Sequence, residues 1–152
     1  MTRNPLTLGR DERGASIIEL ALVAPFLAAM IIGMVDISRG YGQKLQLEQA
    51  AQRAIEKAMQ GKKTTSLYDT LKAEGATAAG VTESAVTVDY WAECSGVRQA
   101  SYSTDCGTGV PYARYVTVEI QKTYTPMFST KFAGSNGDGS FTLKGKAGIR
   151  VQ

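Results

Sequence analysis

Four residues have types and positions that could do chemistry. Glu19 and Asp36 are the two charged residues in the apolar stretch from Ala15 to Ile37, and Cys94 and Cys106 lie in a polar segment with 11 residues between them. A carboxylate at membrane depth is costly, so it marks a functional position by default and calls for a partner. The plainer alternative is a side chain near the interface that snorkels into the headgroups. Two cysteines are too few for a zinc cage or an iron–sulfur cluster in one chain, and they are too far apart for a redox pair. The chain has no histidine, which excludes His-based triads, the usual general bases and most imidazole metal sites. With no G-x-S-x-G elbow and no Gly-rich phosphate loop either, the sequence reads as a non-enzyme with no catalytic residue, metal site or cofactor. Asn136-Gly-Asp-Gly resembles half a calcium loop but lacks the further carboxylates and the closing glutamate, so turn chemistry is the better reading.

The elements that must position these residues fit in 152 residues, the size of one ordinary domain. Seventeen Lys+Arg stand against 14 Asp+Glu, a net charge of +3, too mild for a broad nucleic-acid-binding face. The apolar residues are concentrated near the amino terminus, and Leu20 to Val35 is 16 consecutive uncharged residues. As a helix, the 23 residues from Ala15 to Ile37 would span roughly 34 Å, enough to cross the hydrocarbon core with some tilt. A buried helix of a soluble domain is disfavoured, because a small interior cannot surround a helix that is apolar on every face. No small-x-small cleavage site follows the run, which argues for a retained anchor over a removed signal. Further along, Leu47, Ala50, Ala51, Ala54, Ile55 and Ala58 recur at helical spacing. One long helix is therefore expected from about 15 to 60. Gly40-Tyr41-Gly42 is expected to loosen it and Gly61 to stop it. Pro25 is expected to be a weak point within it or a tolerated membrane proline.

The junction Arg13-Gly14-Ala15-Ser16-Ile17-Ile18-Glu19 places a glycine after a basic leader and a lone carboxylate five residues on. This layout resembles type IV prepilin-like proteins. The longer run, with Arg13, Gly14, Ala15, Glu19, Ala21, Leu22, Val23, Pro25, Gly33, Asp36 and Arg39, resembles the TadE-like pseudopilins of Tad pilus systems. Aspartate at 36, where glutamate is common, is a small departure. The resemblance covers roughly residues 13 to 60. It implies processing between Gly14 and Ala15 by a prepilin peptidase, an assembly role for Glu19 and a pilin-like fold. The partners it implies are other pilins and pseudopilins, the inner-membrane pilus assembly platform and membrane lipid, with no nucleic acid. The function it implies is that of a minor pilin or pseudopilin in pilus biogenesis, adherence and biofilm formation. A signal-anchored extracytoplasmic binding module that never enters a pilus is the alternative.

The remaining hundred residues match that family only in layout. Thr65 to Ala79 is expected to form a short helix ending by Gly80. Ala85 to Ala92, Arg114 to Thr125 and Phe141 to Val151 read as strands, with Gly145 and Gly148 as candidate bulges. The expected fold is α+β, a long amino-terminal transmembrane and amphipathic helix followed by a small antiparallel-sheet head of three or four strands. The organisation reads as a cytoplasmic leader over 1–14, a transmembrane helix over 15–37, its continuation over 38–62 and an extracytoplasmic head over 63–152. The flanking charges, with a modest Lys/Arg contrast, read most simply as a single-pass chain with its leader in the cytoplasm and its head outside; the resemblance implies the inner membrane, where the chain stays or from which it enters the fibre. In that compartment a Cys94–Cys106 disulfide is the simplest reading, and two reduced, buried thiols are the alternative. Trp91 with Tyr90, Tyr102, Tyr112, Tyr115 and Tyr124 reads as core and sheet-face aromatics more readily than as a sugar- or surface-binding patch.

Overall fold

The computed structural model describes residues 12–60, 65–128, 131 and 134–151. Residues 1–11 of the expected leader and the expected stop at Gly61 lie outside them. The chain divides into two compact units, Met1–Ser38 and Arg39–Gln152.

The described part of the first unit is helical, the beginning of α1 (Glu12–Gln60). Its side chains from Ser16 to Ile31 are all exposed, although they are almost all apolar. Backbone hydrogen bonds are satisfied inside a helix, so this surface suits a solvent that is itself apolar. The helix is long and apolar enough to cross a membrane by length and composition. Pro25 lies within it without ending it.

The second unit has its own core. The stripe Leu47, Ala50, Ala51, Ala54, Ile55 and Ala58 on α1 is buried, as its spacing predicts. A second helix, α2 (Thr65–Ala79), adds Tyr68, Leu71 and Ala76 to the same core, and Lys57 of α1 pairs with Glu74 of α2. The end of α2 has a local cause: Gly80 takes φ +61°, and the Val81 amide returns to the Ala76 carbonyl at 3.0 Å. That is the glycine-dependent Schellman closure.

Four strands, β1 (Val86–Cys94), β2 (Val97–Arg98), β3 (Tyr112–Tyr124) and β4 (Phe141–Arg150), form one antiparallel sheet in the order β2-β1-β3-β4. Alternation sorts the faces: Val86, Val88, Tyr90, Val116, Val118, Ile120, Ala147 and Ile149 belong to the helix-side core. β1 and β2 turn at Ser95 and Gly96, with φ of 49° and 81°; positive φ at both positions suits the twist of a two-residue hairpin. The β3–β4 connection ends in a turn in which the Asp138 carboxylate accepts from the Ser140 amide and hydroxyl at 2.9 and 2.6 Å. These bonds, the hydroxyl's first, hold the Asp138 carboxyl below the usual carboxylate range.

One expectation is corrected here. Gly145 and Gly148 are not bulges, because β4 pairs with β3 residue for residue from Phe141 to Arg150. They are points of close approach: a Cβ on Gly145 would fall 2.6 Å from Leu47 Cβ and against the α1 backbone, and one on Gly148 would fall 2.7 Å from Thr117 Cγ2. Gly40 and Gly42 do not interrupt α1. At Gly40 the missing side chain makes room for the Tyr124 ring, 3.3 Å from where a Cβ would be.

Candidate functional site

Within α1, Gly14 and Ala15 have helical backbone, and their side-chain surroundings lie outside what is described. Glu19 is exposed on the same helix. The i to i+4 spacing from Ala15 sets Glu19 one turn further on, on the same side of the helix. A Cβ on Gly33 would meet nothing within 4 Å, so its small size answers to no neighbour among the described residues. Asp36 is 9% exposed and, with Ser140, one of two buried polar side chains among the described residues. Arg39, three residues later, is exposed. A glycine, a carboxylate five residues past it, a proline-containing apolar helix and an acid–base pair of positions at its far end thus lie on one continuous element.

Residues 14–55 match the TadE-like protein family. The TadE-like segment begins at Gly14, takes in Glu19, Pro25, Gly33, Asp36 and Arg39, and ends at Ile55 within the alanine stripe. No curated protein and no solved structure matches the chain. The sheet lies beyond the TadE-like segment, so its chemistry has to be read from its own geometry.

Cys94 and Cys106 are joined by a disulfide with their Cα atoms 5.5 Å apart. It ties the end of β1 to the loop leading into β3, and the segment it closes holds the β1–β2 turn and β2. Among the described residues, no group of three or more His, Cys, Asp or Glu is placed to hold a metal ion.

The aromatic residues fall into two sets. On the helix side, Tyr68, Tyr90 and Tyr102 meet at centroid distances of 5.3 to 5.5 Å, and the Tyr68 and Tyr102 hydroxyls hydrogen-bond at 2.5 Å. Burial, then this bond, pushes the Tyr68 hydroxyl above its ordinary value. Arg114 lies over the rings of Tyr102 and Tyr112. On the opposite face Trp91 stacks on Tyr115 at 5.2 Å, and the Arg98 guanidinium lies 4.6 Å over the indole. Arg98 also donates to both Asp89 oxygens, at 2.9 and 3.1 Å, and the indole N–H donates to Glu93 at 2.8 Å. These groups satisfy one another within the sheet face. Sequence reasoning missed this ladder because β2 has only two residues and shows no alternation. The signal available was Asp89, Trp91 and Glu93 at alternate positions of one strand.

Proposed function

We propose that this protein is a structural subunit of a Tad-type pilus system, a TadE-like minor pilin or pseudopilin made as a precursor and cut after Gly14 by a prepilin peptidase. The observation that carries this reading is the TadE-like match, which starts at Gly14 and includes Glu19. Cleavage would create a cationic amino terminus at Ala15 within an apolar segment. Such a charge needs an anionic partner where the dielectric is low, and Glu19 of a neighbouring subunit supplies one. Gly33, with nothing within 4 Å of a Cβ, leaves room for another helix to approach closely in lipid. The head is a non-enzymatic body displayed outside the cytoplasm, where a disulfide such as Cys94–Cys106 persists. Prepilin peptidase, other pilins and pseudopilins, the inner-membrane assembly platform and membrane lipid are its partners, and adherence and biofilm formation are the readouts.

The deciding experiment is amino-terminal sequencing of the membrane-extracted protein from cells with and without the peptidase. A start at Ala15 only when the peptidase is present is the expected result. Gly14→Asp should accumulate a form longer by the 14 leader residues. An uncut chain in both strains would overturn the processing step and favour a tethered binding module, which has no reason to begin at Ala15.

A further inference from the structure

Two consecutive large apolar residues, Met127 and Phe128, are 62% and 59% exposed where the chain leaves β3. They follow Tyr124 by three and four residues, and Tyr124 closes over Gly40. Gly40 in turn comes three residues after Ile37, the last residue of the apolar run, a rise of about 4.5 Å in a helix. The β3 end of the sheet is therefore beside α1 at Gly40, three residues along the chain from the end of the apolar run. On α1, Tyr41 is 62% exposed, and Arg39 and Lys44 are exposed, as is Lys131 past Phe128. Tyrosine at headgroup depth, apolar side chains reaching just below it and cations among anionic headgroups make the composition of a membrane interface. Adjacent exposed methionine and phenylalanine side chains form an apolar patch of the kind that marks an interaction surface.

We propose that the start of the β3–β4 connection is a second membrane contact. Met127 and Phe128 insert into the interfacial layer, with Tyr41 at headgroup level and Arg39 and Lys131 facing anionic lipid. This rests on the reading of α1 as a membrane helix. It assigns the lipid surface itself, rather than another protein, as the ligand of this patch. The contact restrains the head at a second point.

The full chain, reconstituted in phosphatidylethanolamine–phosphatidylglycerol vesicles doped with bromine-labelled lipid, tests this through tryptophan emission. Phe128→Trp and Met127→Trp are each made in a Trp91→Phe background, as is Leu27→Trp within the apolar run. The wild type, with Trp91 as its one tryptophan, is the far reference: Trp91 pairs with Tyr115, nine residues or about 30 Å along β3 from Tyr124. Emission from F128W and M127W should be blue-shifted and quenched several-fold more than that of Trp91. The L27W probe should be quenched as well. Quenching of L27W with neither loop probe quenched would overturn the second contact and leave the anchor standing. A blue shift of the loop probes without quenching would mean that protein covers the patch, and would equally overturn it. An unquenched L27W would instead remove the membrane helix, and the second contact with it. Resistance of Cys94 and Cys106 to alkylation without reduction reports that each variant has folded.

Discussion

A methyl group at position 145 would press on the α1 backbone between Leu47 and Glu48. Helix backbone cannot swing aside as a long side chain can, so helix and strand would have to separate. Gly145→Ala is expected to cost about 2–4 kcal/mol in urea unfolding. Gly137→Ala, in open space, should change stability by less than about 0.5 kcal/mol. Tyr68 makes a different demand. Its neutral hydroxyl is favoured in the fold, while an unfolded tyrosine ionises near its ordinary value of about 10. The stability this contributes is complete below that pH and is lost as pH rises past it. In an alkaline absorbance titration, Tyr68 should stay protonated above that pH. Tyr68→Phe should cost about 1 kcal/mol at neutral pH and reduce the alkaline loss. Glu19→Val should leave membrane insertion and the head fold unchanged, because an apolar side chain is cheaper in lipid. If Glu19 has the proposed assembly role, the change should abolish surface fibres, because it would strip the partner from a buried cation; normal piliation in a complemented deletion strain would refute that role.

Among the elements, the disulfide is the simplest to perturb. Closing its segment is worth about 3 kcal/mol on the chain-entropy model, so reduction should lower the stability of the head by about that much. Mass spectrometry with alkylation before and after reduction should find no free thiol in the untreated protein and two afterwards. The elements differ in how far their residues announced them. The strands β1, β3 and β4 were legible because Val86-Val88-Tyr90 and Val116-Val118-Ile120 alternate with polar neighbours, and that pattern depends only on which face is buried. The α1 stripe from Leu47 to Ala58 was legible for the same reason at a different period. β2 was not, since two residues have no period. Gly145 and Gly148 showed only that a side chain was missing, and what occupies its place belongs to α1 and to β3. Glu19 stood out locally, as a charge in an apolar run, whereas the Trp91–Tyr115–Arg98 ladder depends on strand register and is visible only once the sheet is assembled.

At the scale of the whole molecule, the buried cluster from Leu47 to Val151 belongs entirely to the second unit. A fragment of residues 39–152 is therefore expected to fold without lipid, with one cooperative thermal transition and an intact disulfide. Loss of that transition would show that the apolar segment supports the fold of the head. The seat of Gly145 against Leu47 joins positions 98 apart in the chain. Contacts of such long range are slow to form, because the ordering of everything between them comes first. The alanine stripe of α1 is made early, and its cover is complete only when β4 has emerged. Until then the stripe is a sticky surface on a nascent chain, exposed to proteases and to other unfinished copies. The interval between making the first helix and the last strand is when this surface is most open to misassociation.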